Sequence, residues 1–441
     1  MTSDRAVWTD AVLAHGVGSR ADLPVPVWLA ITGGACAVIV SFAALGLLWP
    51  EPRLREDAGR PLPVAVQVAV DHPVTTWVLR AVVLVVTVVV VLVALAGPTL
   101  PEANLGVYGF YITFWVGLVP VSLLLGPVWR RVNPLRTLHA LLARLTGPAP
   151  GADRLDRVGM WPAAVALLLY SWLELAYPGR SQPSTVGLFL VFYGVVQLAA
   201  GLWFGPGWFA RGDGFEVYST LLGRLAPIGR RTDGCLVLRN PLHGAEGTPP
   251  VPGLAAVVVV LVGGTAFDGV TRTQWWQDGP GRAGDSAGLF ATLGLLDTVG
   301  LVAVLYVVAT ALSGRISGTT GGPARYAHSL IPIAAGYAVA HYFSLLLLDG
   351  QRTWRLASDP FQTGLDLFGT AGNLIDYTAV SPRLISLVQV GAIVLGHVLG
   401  VVLAHDRAVR VAAPRRALVA QYPLLLVMVA FTVGGLGLLL G

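Results

Sequence analysis

The sequence predicts an all-α polytopic membrane protein of about ten transmembrane helices, on three observations. Hydrophobic residues make up 55% of the chain and charged residues 12%, and mean hydropathy is +0.70. A soluble domain usually carries about a quarter charged residues. Apolar runs recur at the length, about 20 residues, that crosses roughly 30 Å of hydrocarbon. Some of them, such as 84–95 and 254–262, have no polar face, whereas a soluble helix is apolar on one side only.

The runs lie at 26–49, 74–97, 107–127, 159–177, 185–205, 251–270, 288–312, 326–347, 384–405 and 419–440. Run 159–177 is short, and run 288–312 contains Asp297. No hydrophilic stretch is long enough to fold as a separate domain, so 26–441 reads as one transmembrane domain behind a tail of residues 1–25. Asp4, Arg5 and Asp10 interrupt any apolar core in that tail, so it is not expected to be a cleavable signal. Cys36 lies in the first run and Cys235 in a loop, too far apart to pair or to build a metal site by themselves.

Orientation follows from the cations, because arginine and lysine concentrate in cytoplasmic loops. The chain has no lysine; of its 29 arginines, 20 fall in the loops after runs 1, 3, 5, 7 and 9, and 8 on the opposite side with the two tails. Both termini are therefore expected outside the cytoplasm. Trp28 and Trp49 bracket the first run, while Trp129, Trp161 and Trp208 stand where an aromatic belt meets headgroups. The formal charge of +5 expresses this bias and asks for no nucleic-acid partner; the expected partners are the lipid bilayer and a small-molecule substrate.

Two segments repeat. Residues 133–145 read NPLRTLHALLARL and 213–225 read DGFEVYSTLLGRL, each after a run that ends in Gly-Pro and Trp. Each opens on a helix N-cap residue, Asn133 or Asp213, and continues with leucines at helical spacing. This predicts a parallel duplication of helices 3–4 and 5–6, each unit with an amphipathic helix lying on the membrane. In the opposite long loop, 348–383, Asp359 and Gln362 resemble a capping box. Phe361, Leu365 and Phe368 then share one helical face, which predicts an interfacial helix there as well.

An ionisable group inside a span is costly and needs a partner or water. Glu174, Asp268, Asp297, His341 and His397 fall inside or at the ends of runs, and the first four lie toward the side with few arginines. Tyr170, Glu174 and Tyr177 form one helical stripe, Tyr337, His341 and Ser344 a second, and Ser386, Gln389 and His397 a third. Asp297, His341, Glu174 and Asp268 are accordingly expected to line one cavity as the catalytic set. Carboxylates and imidazoles from separate helices suit a water activated by a divalent metal such as zinc, with His341, Asp297, Asp268 and His15 as ligands. The same groups suit a proton relay. His328 and His397 have the relative depth of a bis-His haem pair, although nothing else points to haem, and His139, His243 and His405 read as surface residues. No P-loop, dinucleotide, kinase or nucleophile-elbow motif is present.

At the N-terminus, Leu13-Ala14-His15-Gly16 followed by Arg20-Ala21-Asp22-Leu23-Pro24-Val25-Pro26 and Trp28-Leu29 resembles a bacterial membrane-protein family commonly labelled fenitrothion hydrolase. Ala266-Phe267-Asp268-Gly269, His328-Ser329-Leu330-Ile331-Pro332-Ile333-Ala334 and Ala340-His341-Tyr342 are similar to it too. The resemblance implies a multi-pass protein of the bacterial cytoplasmic membrane that hydrolyses a small apolar, organophosphorus-type ester at an outer-leaflet site. It brings no catalytic residues with it. The alternatives are an ion- or proton-coupled secondary transporter of a small molecule and a metal-handling or assembly protein.

Overall fold

Inside hydrocarbon a backbone must satisfy its own hydrogen bonds, so apolar runs become helices. The computed structural model describes residues 26–320 and 322–440. Among them nine helices are long and apolar enough to cross a membrane, or ten if one bent pair counts as a span. In chain order the helices that matter are α1 (Val27–Leu48), α2 (Pro73–Ala96), α3 (Leu105–Leu125), α4 (Pro134–Thr146), α5 (Trp161–Leu175), α6 (Pro183–Phe204) and α7 (Gly214–Arg224). They continue as α8 (Pro241–Glu246), α9 (Leu254–Thr271), α10 (Ala287–Ser317), α11 (Ile331–Leu348), α12 (Gly350–Ser358), α13 (Pro382–Val411) and α14 (Tyr422–Leu440). The bent pair is the short run: α5 meets the preceding segment, 152–158, at 64°. With 15 residues, α5 reaches only about 22 Å at 1.5 Å per residue.

The loops after the first, third and fifth runs gather at one end of the bundle. Asp71 accepts from Arg131 at 3.2 Å and Arg230 at 2.5 Å, Asp57 accepts from Thr232, and Glu56 lies 3.6 Å from Arg224. A small antiparallel sheet, ordered β1 (Arg60–Pro61), β3 (Leu236–Leu238), β2 (Ile228–Arg230), ties the first and the fifth of these loops together. At this arginine-rich end Asp406 of α13 also accepts the Trp49 indole N–H at 3.0 Å and the Arg53 N–H at 2.6 Å.

Close packing brings α11 and α13 together: a Cβ on Gly336 would stand 2.4 Å from the Ala392 carbonyl, so only glycine permits this approach. An aromatic core forms where α3, α5 and α7 meet. Phe110 and Phe215 are edge-on at 6.0 Å, and Trp115 and Tyr170 lie 4.2 Å apart. Within α3, residues Gly109–Val116 are wound as a π-helix, a rare geometry that recurs at functional sites.

The two repeat units share one order: span, short turn of helix, N-cap, then α4 or α7. Their caps meet, because Asn133 Nδ2 donates to Asp213 Oδ2 at 2.7 Å while each cap also accepts from its own helix. The expected surface position holds for α4, whose Leu141, Leu142 and Leu145 are exposed. It fails for α7, which is buried inside the bundle from Gly214 to Gly223. The reason lies in composition: where α4 has Leu135, Leu138 and His139, α7 has Phe215, Tyr218 and Ser219, aromatic and small residues that pack against α3 and α5.

The long loop also departs from expectation. Helix α12 ends at Ser358, before the segment predicted to be helical, and 359–381 contains no helix. Asp359 caps a turn rather than a helix, accepting from the N–H groups of Thr363 and Gly364. Gln362 at φ 53° and Gly364 at φ 88° occupy left-handed backbone that a helix cannot use.

Candidate functional site

Helix α9 ends at Thr271 with Arg272 as its cap residue, which puts Asp268 and Arg272 one turn apart, 3.6 Å between charged atoms. The guanidinium also complements the helix C-terminus. From α11, the His341 Nε2 forms an ion pair with Asp268 Oδ2 and lies 3.2 Å from Arg272 Nη2. One ring nitrogen therefore faces a carboxylate and a guanidinium together. Asp268 is buried, and the His341 side chain is nearly so.

Glu174 comes from the last turn of α5. Its Oε1 accepts the Tyr342 hydroxyl at 3.3 Å, and the same hydroxyl accepts the Trp115 indole N–H at 3.0 Å. Glu174 and Asp268 lie within electrostatic reach of each other and line one cavity with Trp115, Ser171, Tyr218 and Tyr342. Small residues open it: Ala334 and Ala338 stand one turn apart on α11, with Tyr342 one turn further on, and a Cβ on Gly264 of α9 would press within 3.0 Å of Ser171 Oγ. The free space admits on the order of one or two waters. This site is at the end of the bundle away from the arginine-rich loops.

Of the four residues expected to line one cavity, Glu174 and Asp268 do so, and His341 reaches Asp268 without lining it. Asp297 does neither: it is exposed on the outer side of α10 and lies outside the cavity. Helix α10 packs against α9 and α14 through its other side, with Leu295 and Val302 buried. An apolar run reads the same on every face, so periodicity could not choose between the two sides. His15 and Asp22 lie outside the described residues.

The zinc expectation fares accordingly. Among the described residues no three His, Cys, Asp or Glu side chains group closely enough to hold a metal ion. Arg272 already occupies the cation position beside Asp268 and His341. The haem pairing fails as well, because His328 Nε2 faces Glu246 Oε2 at 3.1 Å while His397 is buried with Nδ1 2.9 Å from the Ile393 carbonyl of its own helix. Tyr337 turns away from the cavity to the Phe431 carbonyl of α14.

The histidines read as surface residues are partly interior. His139 is buried against the Gly201 carbonyl at 3.0 Å, and buried His405 bridges Gln421 and the Trp49 carbonyl. Near them, Glu246 of α8 takes Arg407 at 3.0 Å, Arg410 at 3.3 Å and His328, a second ionic cluster at the arginine-rich end. The sequence patterns point to none of Arg272, Trp115 and Tyr218, and to Tyr342 only within the segment Ala340-His341-Tyr342. For Tyr342 the signal was its place in the Ala334-Ala338-Tyr342 stripe; Arg272 lies beyond its run, and the π-turn that aims Trp115 has no sequence signature. No known protein family, curated protein or solved structure matches the chain.

Proposed function

We propose that this protein is a proton-coupled secondary transporter of a small solute, with Asp268, His341, Arg272 and Glu174 as its proton-handling set. One observation carries the reading: the His341 Nε2 contacts both the Asp268 carboxylate and the Arg272 guanidinium, which also contact each other. A protonated Nε2 donates to Asp268 and repels Arg272; an unprotonated Nε2 accepts from Arg272 and repels Asp268. Proton occupancy of one ring thus selects between two partners on α9, and a two-position contact between helices is what alternating access requires.

Charge counting agrees. With Glu174 and Asp268 ionised and Arg272 charged, the cluster carries one net negative charge, which a single proton on His341 or Glu174 neutralises. Arg180, in the loop after α5, adds a weaker field at Glu174. A cavity of water size relays protons, and the solute enters when the helices separate. Hydrolysis of a small ester is the second reading, favoured by the Asp268–His341 pair, the arrangement that orients an imidazole as general base. A bulky phosphotriester asks for more room than this cavity offers.

Solid-supported-membrane electrophysiology on the reconstituted protein, with a pH step and a panel of small anionic, cationic and neutral solutes, tests the reading. Solute-dependent currents that disappear in Asp268→Asn and His341→Gln are expected. Ester hydrolysis by the same preparation, lost in His341→Gln, with no current for any solute, would overturn it in favour of the enzyme.

A further inference from the structure

Arg239 is held in place by its backbone. It follows β3, its N–H donates to the Pro227 carbonyl at 2.7 Å, and Asn240 caps α8 immediately after it. The residue is buried, 8% exposed, at the arginine-rich end of the bundle. Glycines make the room for its side chain. A Cβ on Gly229 of β2 would collide with its Cζ, and one on Gly244 of α8 with its Nη2, so the guanidinium is slotted between two stretches of bare backbone.

A buried charge calls for a counter-charge and hydrogen-bond partners. Among the described residues Arg239 forms no ion pair, and its buried Nε donates to no acceptor. Burial, and after it the charge of Arg224, hold its pKa below the ordinary arginine value, with Glu56 opposing them. Arg224 ends α7; its side chain is 28% exposed and lies 3.6 Å from Glu56. Arg130, from the helical turn Val128–Val132, adds its charge at Arg224. Three guanidiniums are thus set against the Glu56 carboxylate. Other acids at this end are already held, Asp71 by Arg230, Glu246 by Arg407 and Asp406 by Arg410. The surplus positive charge selects an anion, and guanidinium forks match the oxygens of a phosphate. Basic pockets at the headgroup level of a helical bundle take acidic lipid heads by this chemistry. We propose that Arg239 and Arg224 form a binding site for a phosphate group, carried by an acidic lipid or free in solution. The ligand replaces Glu56 as the counter-charge of Arg224 and supplies the acceptor that Arg239 lacks. The site stands at the opposite end of the bundle from Asp268 and His341, so it is independent of the transport reading.

The test uses the full chain in an uncharged detergent, read by thermal unfolding. Inorganic phosphate is titrated against sodium chloride at equal ionic strength, and phosphatidylglycerol against phosphatidylcholine. At least one of the two probes should stabilise the parent, and which one does so identifies the source of the phosphate. Arg239→Gln should need about tenfold more of that probe for the same stabilisation. Arg231→Gln, which removes a surface charge paired with Asp233, should respond as the parent does. Glu56→Gln, which removes the competing carboxylate, should bind about threefold more tightly, and it decides the matter if Arg239→Gln does not fold. A parent that responds to neither probe, an unshifted Arg239→Gln, an equal loss in Arg231→Gln, or a Glu56→Gln that binds no more tightly would each overturn the proposal.

Discussion

Arg136 grips Glu216 through two hydrogen bonds of 2.6 Å, from Nε and Nη2 to the two carboxylate oxygens. The two residues occupy the same position in the repeated segments 133–145 and 213–225. Equivalent residues of the two units thus bind each other, as do the equivalent caps Asn133 and Asp213. A charge reversed between two copies of one segment has become the bond that holds the copies together.

Removing Glu216 should therefore destabilise the fold. Glu216 is fully buried and Arg136 largely so, and truncating one partner of a buried pair costs about 3–5 kcal/mol. Arg136 keeps a bond to the Pro206 carbonyl, which places the expected loss near the lower end. A double-mutant cycle of Arg136→Ala and Glu216→Ala, read by thermal unfolding, should return a coupling on the order of 2 kcal/mol. Additive losses would show that the pair does not lock the repeat.

The same repeat separates what was legible in the sequence from what was not. The apolar runs were legible because hydrocarbon leaves a backbone little choice but helix. Glu174, Asp268 and His341 were legible because a charge in such a run demands a partner. That demand does not say where the partner lies. For Asp297 the demand argues an inward face, and the structure puts it outward. The burial of α7 turns on Gly214, Phe215 and Tyr218 fitting between α3 and α5, a tertiary fit that leucine spacing cannot report. Asp359 followed by Gln362 suits a helix start and a tight turn alike, and the glycines at 364, 369 and 372 decide for the turn.

Asp213 should make stability depend on pH. Burial pushes its carboxyl up to about 6, against hydrogen bonds from Tyr193 and Asn133 that oppose the shift. Between 3.8 and about 6 the folded chain then binds more protons at this site than the unfolded chain. The contribution is fully present below 3.8 and is lost as pH rises through about 6. Asp71 acts oppositely, held below the usual carboxylate range chiefly by its hydrogen bond from Arg230, so the informative quantity is a difference. Asp213→Asn should gain on the parent, by on the order of 2 kcal/mol, when thermal unfolding at pH 8 is compared with pH 4. A constant difference across that range would remove the assignment.

At the candidate site, Asp268→Ala should cost more than Asp268→Asn. The alanine removes the buried carboxylate that His341 and Arg272 share and leaves Arg272 only the ring nitrogen as acceptor, a loss of about 3 kcal/mol for a buried pair broken on one side. Asparagine restores one acceptor oxygen and should recover a large part of it. Equal unfolding temperatures for the two variants would mean that Asp268 does not hold His341 and Arg272 in place.

Tyr342 allows a finer separation of structure from function. Its hydroxyl accepts from the Trp115 indole and donates to Glu174, so one oxygen connects the π-turn of α3 to the carboxylate of α5. Tyr342→Phe keeps the ring, including its edge-on contact with His341 at 4.6 Å, and removes both bonds. The buried Trp115 N–H is left without an acceptor, which costs about 1–3 kcal/mol. Trp115→Phe removes the orphaned donor but opens a cavity in the aromatic core, so the double variant should lose less than the sum of the two single losses. Tyr342→Phe nearly conserves packing and deprives Glu174 of a donor, whereas Trp115→Phe costs packing in the aromatic core but leaves that donor in place. If Glu174 shares the coupled proton, Tyr342→Phe alone should displace the pH profile of solute-driven current. A profile that moves with Trp115→Phe as well, or with neither, would confine Tyr342 to a structural role.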